Sequence, residues 1–454
     1  MTVQPNSIEA RDIAYHLHSY TNARQHEATG PIIIDKGEGV FVTDTDGNRY
    51  IEAMAGLWSV AVGFGEKRLV DAASRQMAQL NYYHTFSHKS HGPAIELAER
   101  LVAMAPVPMS KAYFTNSGSE ANDTMIKLVR YRSNALGLPQ KKKIISRIRG
   151  YHGVTLASAS LTGLPNNHRA FDLPMEGIFH TTCPHYWREG RDGESEEAFA
   201  TRCAEDLEAL IQAEGPDTIA AFIGEPVMGA GGVVVPPATY WEKIQAVLKR
   251  HDILLVADEV ICGFGRTGQM FGSQTYNIEP DIMTLSKALS SSYLPISALL
   301  INDRVYQPVA DQSSEIGTFG HGYTASGHPV AAAVAMENLD IIEERGLVAR
   351  AAEMGELMQA GLRTLEDHPL VGEVRGVGLI AAVELVTDKA AKTALEKPGA
   401  LGAHAFAILQ KNGIISRPIG DALAYCPPLI IEKAHIDLIV ETTRKSLDEL
   451  HATL

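Results

Sequence analysis

Four groups of residues in this sequence could do chemistry together. Lys287 directly follows the short, mainly apolar stretch Asp281–Leu285, and a second apolar run, Ile296–Ile301, comes soon after. A lysine held between two buried strands has its pKa lowered and its amine made nucleophilic, as Schiff-base chemistry needs. The plainer reading is a stem lying on the core with its head in water. Asp258 and Glu259 sit together at the end of the apolar run Ile253–Ala257. Such acids are costly unless paired, and an ionised Asp258 could hold a cationic nitrogen or simply cap backbone N–H groups. Side chains alternate along a strand, so Asp258 and Val260 share one face and Glu259 takes the other. Ser117, Gly118 and Ser119 precede a helical pattern, where free N–H groups can cradle an anion; an ordinary serine N-cap is the alternative. Tyr151-His152-Gly153 follows another apolar run, and its aromatic ring could lie against a flat ligand or merely pack.

These residues need a scaffold that brings strand ends together. From Lys111 to Ile301 the sequence alternates apolar runs with helical periods. The predicted strands are Ala112–Thr115, Lys143–Ser146, Ile219–Gly224, Ile253–Ala257, Asp281–Leu285 and Ile296–Ile301, and the helices include Ala121–Ser133, Ser195–Ala213 and Ala238–Arg250. This predicts an α/β fold with a mostly parallel sheet flanked by helices, with ligands beyond the carboxyl ends of its strands. Before it, Ile32–Ala53 reads as an antiparallel meander turning at Asp46-Gly47. A helix over Lys67–Leu80 follows, with Leu69, Val70, Ala73, Met77 and Leu80 on one face. After about residue 326, a long helix from Val330, short strands in Val371–Leu385, a helix Leu401–Lys411 and a final helix Lys433–His451 predict a smaller α+β domain. The expected division is an arm and meander over 1–60, packing with the small domain, a large domain over 61–325 and a small domain over 326–454.

Other signals are set aside. Gly263–Gly268 spells G-x-G-x-x-G, but it begins past the two acids and no helical period follows, so it is not a dinucleotide site. His84, His88 and His91 would share one side of a helix, yet no acidic partner is near and Gly92-Pro93 ends the segment; no metal is expected. The first thirty residues, with His16, His18 and Tyr20, read as an irregular arm or short helix.

The 454 residues are 45% hydrophobic and 21% charged, with a formal net charge of -14. That balance argues against a general nucleic-acid binder, which needs Lys and Arg against phosphates. No apolar run approaches the roughly 18 residues that span a bilayer. Four cysteines without a C-x-x-C pair suggest neither zinc nor redox chemistry and suit a reducing compartment. With no apolar core in the first twenty residues to suggest a secretory signal, a cytoplasmic protein is expected.

A phosphate cradle, an aromatic, an aspartate and a strand-end lysine, in this order, add up to a pyridoxal-phosphate site. The chain resembles the class III aminotransferases of PLP fold type I over nearly its whole length. The motifs are NSGSEANDT (116–124), YHG (151–153), GEPVMGAGG (224–232), ADEVICGFGRTG (257–268), SKALS (286–290), HGYTASGHP (321–329) and SRPIGD (416–421). Within that family it looks closest to the ω-amino-acid and amine:pyruvate transaminases. The resemblance implies that Lys287 carries the cofactor covalently and shuttles the proton, and that Asp258 bonds the pyridine nitrogen. It puts Val260 and Tyr151 on the two ring faces and Gly118 and Ser119 on the phosphate. Thr324 of a second subunit helps there, so at least a homodimer is implied. Ser117, His152, Glu225 and Tyr323 fall near the cofactor. Trp58, Tyr20 and Phe86, with Tyr151, would line the substrate pocket, and Arg417 would grip an α-carboxylate.

Two departures bear on specificity. The ornithine and GABA branches carry a glutamate five residues after the E of E-P, paired with that arginine; here it is Ala230. They also carry a glutamine three residues after the aspartate; here it is Ile261. Both fit the amine:pyruvate branch and count against ornithine- or GABA-specific activity; the resemblance implies an enzyme that moves an amino group from an ω-amino acid or primary amine to a keto acid, pyruvate foremost, by a ping-pong route. A decarboxylating transaminase or an aminomutase would use the same lysine and aspartate. A PLP-binding protein without turnover is a further alternative, against which the apparently complete catalytic set counts.

Overall fold

The computed structural model describes residues 4–454. An antiparallel meander of β1 (Ile34–Glu38), β2 (Phe41–Asp44) and β3 (Arg49–Glu52) comes first. Its second turn is the Asp46-Gly47 pair. Asp44 Oδ1 accepts the N–H groups of Asp46 and Asn48 at 3.0 and 2.8 Å, and Gly47 takes a φ of +86° that suits glycine.

The centre is a seven-stranded sheet. It contains β4 (Lys111–Thr115), β5 (Lys143–Arg147), β6 (Ile178–Thr181), β7 (Ile219–Gly224), β8 (Leu254–Asp258), β9 (Ile282–Leu285) and β10 (Ser297–Ile301), in the order β4-β10-β9-β8-β7-β5-β6. Only β10 runs against its neighbours; the pairs β9–β8, β8–β7, β7–β5 and β5–β6 are parallel. Every residue of β7, β8, β9 and β10 is buried. Helices cover both faces of a parallel sheet, so its central strands read as continuous apolar runs, which is why the sequence betrays them. β6 was not anticipated: Ile178-Phe-His-Thr181 is short, at the sheet edge and half polar.

The C-terminal part holds β11 (Val371–Val377), β12 (Ile380–Leu385), β13 (Ile414–Ile415), β14 (Arg417–Ile419) and β15 (Ala422–Tyr425). Four of them form an antiparallel sheet β11-β12-β15-β14, while β13 pairs in parallel with β3 and completes the N-terminal meander. The helix Pro329–Glu344 packs on Lys67–Gln79 and Gly92–Met104. One core runs from Leu285, Leu289 and Leu300 through Ala332 and Leu339 to Val383, Ile439 and Leu447.

Some expectations need correcting. In Lys67–Gln79 the buried residues are Leu69, Ala72 and Gln76, whereas Val70 and Met77 stay exposed. The segment with His84 and His88 is not helical, and His91 instead caps the next helix, accepting the N–H of Ala94 at 3.3 Å. The three histidines therefore do not share a helix side.

A buried ionic clamp ties the C-terminal sheet to the loop that follows β7 and to the short helix Tyr186–Glu189. Arg375 of β11 pairs with Glu384 of β12 at 2.7 Å and with Glu373 at 2.7 Å, and its Nε donates to the carbonyls of Gly232 and Val233 at 3.0 and 3.1 Å. Arg188 also reaches Glu384, at 2.6 Å. Burial pushes the Glu384 carboxyl up, but the two guanidinium groups outweigh it and hold it at about 2. Removing one partner of a buried pair leaves the other charge uncompensated. Glu384→Ala is therefore expected to cost about 3–5 kcal/mol of stability, read from the urea midpoint. A loss under about 1 kcal/mol would show the clamp to have no net weight.

Candidate active site

The residues singled out by sequence converge on the carboxyl ends of the parallel strands. Lys287 lies two residues past β9, Asp258 ends β8, Glu225 follows β7, Tyr151 follows β5 and Gly118 follows β4. They line one cavity of about 600 Å³, together with Ser119, Asn122, His152, Val260, Trp58, Tyr20 and Arg417.

Asp258 is 2% exposed, and its orientation is fixed on three sides. Oδ2 accepts His152 Nδ1 at 2.7 Å and Asn122 Nδ2 at 3.0 Å, while Oδ1 accepts the N–H of Val260 at 3.2 Å. Asn122 is itself held: its Oδ1 accepts Thr284 Oγ1 at 2.8 Å, and its amide also donates to the His152 carbonyl at 2.7 Å. Sequence reasoning missed Asn122 and Thr284. A signal for Asn122 existed, since it lies one turn past Gly118 on the same helix face. The strand alternation holds. Glu259 points away and caps the short helix Gly272–Thr275, accepting the N–H groups of Gly272 and Ser273 at 2.9 and 2.6 Å. Burial raises its carboxyl to about 7.

Lys287 sits at φ +46°, an uncommon backbone state for a residue with a side chain. Its amine faces the cavity. Burial pulls the pKa down to about 8, against the opposing pull of Asp258 and Glu225. Glu225 is spent on the backbone: Oε1 accepts the N–H of Tyr151 at 3.0 Å and Oε2 that of Gly229 at 2.9 Å.

At the opposite end of the cavity the helix Gly118–Ala135 begins. Ser117 is its N-cap and accepts the N–H of Glu120 at 3.2 Å, so its hydroxyl is engaged and it does not line the cavity. The N–H groups of Gly118 and Ser119 have no acceptor within the helix. A Cβ on Gly118 would come within 3.2 Å of Val260, and one on Gly153 within 2.6 Å of Ser119 Oγ, so both glycines keep this slot open.

The remaining expected residues divide. Trp58, held at φ +65°, Tyr20 and Arg417 reach the cavity. Burial lowers the Arg417 pKa, with the phenols of Tyr151 and Tyr20 pulling the other way; among the described residues no carboxylate pairs with it. Phe86, Tyr323 and Thr324 do not line this cavity. Phe86 lies against Gly322, Tyr323 donates to the Glu120 carbonyl at 3.2 Å, and the Thr324 carbonyl accepts Tyr82 Oη at 2.8 Å.

The family model described as Aminotransferase class-III matches residues 21–447. This chain is a class III aminotransferase. Among its relatives is gamma aminobutyrate transaminase 1, mitochondrial, of Solanum lycopersicum, 51% identical over 95% of this chain and 84% of that protein. The ω-transaminase of Pseudomonas jessenii, solved in complex with PMP, is 61% identical, with a TM-score of 0.98 over 98% of this chain and 99% of that one. A thermostable ω-transaminase variant with W58M, F86L and R417L, engineered for asymmetric synthesis of enantiopure bulky amines, also superposes with a TM-score of 0.98 at 61% identity, covering 98% of this chain and 100% of that one. The chain thus shares PLP fold type I.

Class III aminotransferases use pyridoxal phosphate, and the cavity fits it. It offers free helix-end N–H groups and serine Ser119 for an anion, a slot kept open by Gly118 and Gly153, a buried carboxylate and a nucleophilic amine. Buried His152 Nε2 has no partner. It is what remains once Nδ1 is committed to Asp258.

Proposed function

We propose that this aminotransferase takes the amino group of an ω-amino acid or a primary amine and passes it to a keto acid, with pyruvate as acceptor, in two half-reactions sharing one pocket. The observation that carries this reading is Arg417, a guanidinium with no carboxylate partner among the described residues, facing a cavity whose wall also includes the apolar side chains of Leu57, Trp58, Leu164, Ala230 and Ile261. A cation beside an apolar wall suits substrates with and without a carboxylate. Relatives bearing changes at positions 58, 86 and 417 to handle bulky amines support placing substrate against Trp58 and Arg417.

When bound, pyridoxal phosphate supplies a carbonyl carbon that takes up the amino group and a ring that withdraws electrons from the carbon losing its proton. Gly118 and Ser119, with Thr324 of a second copy, would bind its phosphate. Val260 and Tyr151 would hold its ring, and Asp258, oriented by Asn122 and His152, would keep a proton on the ring nitrogen. Lys287 Nζ would hold the group in place and would take up the proton that the substrate carbon releases. Glu225 positions Tyr151 through its backbone.

Arg417→Ala is expected to slow turnover of β-alanine and the pyruvate half-reaction by about 10–100-fold, the weight of a charge-assisted hydrogen-bond pair. The amine half-reaction with 1-phenylethylamine, followed by absorbance without keto acid, should change less than about threefold. Equal losses on both sides would remove the carboxylate-gripping role. Conversion of the cofactor by β-alanine but not by 1-phenylethylamine would restrict the donor to ω-amino acids.

We infer a homodimer. Val70, Met77, Tyr82, Tyr83, Phe86 and Ile95, from one stretch of the chain, are exposed apolar or aromatic residues, and such residues mark an interaction surface where they lie together. Four unpaired, buried cysteines suit a reducing cytoplasm. Among the described residues no helix is long and apolar enough to cross a membrane.

A further inference from the structure

The N-terminal arm consists of two short helices, Ile8–Tyr15 and Ala23–Thr29, joined by a loop. Neither contributes a single buried residue. Burial therefore does not hold them together, and isolated helices of 7–8 residues are marginal in water. What joins them is a cluster of three imidazoles around one carboxylate. Asp12 Oδ1 lies 3.2 Å from His16 Nδ1 and 3.0 Å from His18 Nε2; Oδ2 lies 2.8 Å from His18 Nε2 and 2.9 Å from His26 Nε2. Ligand atoms of Asp12, His16 and His18 all fall within 4.8 Å of one another. His26 comes from the second helix, so the cluster closes the hairpin.

We propose that Asp12, His16 and His18 bind a zinc ion, with His26, bonded to the same carboxylate, as the fourth ligand drawn in. Zinc takes four nitrogen and oxygen ligands at about 2.0–2.1 Å, which sets tetrahedral edges of roughly 3.3 Å. The separations between the Asp12 oxygens and the three imidazoles, 2.8–3.2 Å, fall just short of that edge, so outward motion of the rings from the carboxylate opens room for the ion. Asp12 and His26 are 14% and 11% exposed and His18 29%, while His16 is 68% exposed, so the ion would sit on the surface side of the hairpin with only His16 open to water. A segment too small to own a core is where a metal staple stabilises most. The loop it would close carries Ser19 and Tyr20, which line the substrate cavity. Tyr20 also accepts a hydrogen bond from Asn167. Zinc at the arm therefore fixes one wall of the pocket.

The test uses the holoenzyme, stripped with chelator and then titrated with zinc chloride by equilibrium dialysis with elemental analysis. One zinc per chain is expected, and H16Q/H18Q should lose at least about 100-fold in affinity, as should H26Q on its own, while H84Q/H88Q binds as wild type does. Zinc should also slow tryptic cleavage after Arg11 and Arg24 in wild type but not in H16Q/H18Q. The visible cofactor band of each variant reports that it remains folded. No saturable zinc below about 10 μM, or one zinc per chain held equally by H16Q/H18Q, overturns the proposal.

Discussion

Lys287→Ala is expected to lower turnover by about 10⁴-fold or more. Loss of a positioned proton carrier alone accounts for roughly 10²–10⁴, and loss of the covalent anchor adds to it. The variant should still bind cofactor through the helix end and Asp258, but borohydride should no longer fix it to the protein. Small primary amines supplied in solution should restore part of the rate. The amine has a second signature. Only its neutral form attacks a carbonyl, and burial brings its pKa to about 8. Capture of added cofactor by the stripped wild-type protein should therefore rise with pH and reach half its maximum near pH 8, not near 10.5. Turnover within tenfold of wild type, or cofactor still fixed by borohydride, would assign the chemistry to another residue.

Asp258→Asn should cost about 10²–10³-fold in the proton-transfer step, the magnitude seen when one preorganised electrostatic partner is removed. The substitution keeps volume and changes charge. His152 Nδ1 and Asn122 Nδ2 both donate to Oδ2, so the amide must turn its oxygen to them. Its NH₂ group then takes the place of Oδ1, where it meets the Val260 N–H that Oδ1 accepts in wild type, and a proton on the ring nitrogen loses its counter-charge. Lys287 is untouched, so the cofactor remains bound. Single-turnover absorbance separates this from a binding defect. A rate within tenfold of wild type would make Asp258 a structural acid like Glu259.

The divergence of these two neighbouring carboxylates was legible in the sequence because a strand alternates with period two. The central strands were legible too, being continuous apolar runs buried on both faces. Other elements gave weaker signals. The helix Asp303–Ile316 contains Pro308, which breaks the helical pattern on paper although the helix continues. β14 and β15 are only 3 and 4 residues long, too short for a periodicity to emerge. The apolar face assigned to Lys67–Gln79 went astray at Val70 and Met77, since period alone does not say which side meets a core and which meets solvent or another chain. In the site, strand-end residues could be found one by one, but the Thr284–Asn122–Asp258 chain of hydrogen bonds joins two strands and a helix far apart in sequence. Such a chain exists only once the fold has brought them together. The arm's histidines were noticed without Asp12 and His26, whose meeting depends on the turn between two helices.

The unbroken core from Leu285 to Leu447 has a bearing on how substrates come and go. A lobe that swung open on a hinge would have to pull Leu285 and Leu300 away from packing shared with the helix Pro329–Glu344 and the C-terminal sheet. Close-packed interiors resist such sliding. Traffic through this enzyme is thus expected to rest on small gates rather than on a jaw, and the loop with Ser19 and Tyr20 in the cavity wall is the element placed to act as one. Entry and release then depend on motions of a few side chains, which leaves the lysine and its aspartate undisturbed while the cavity admits its next guest.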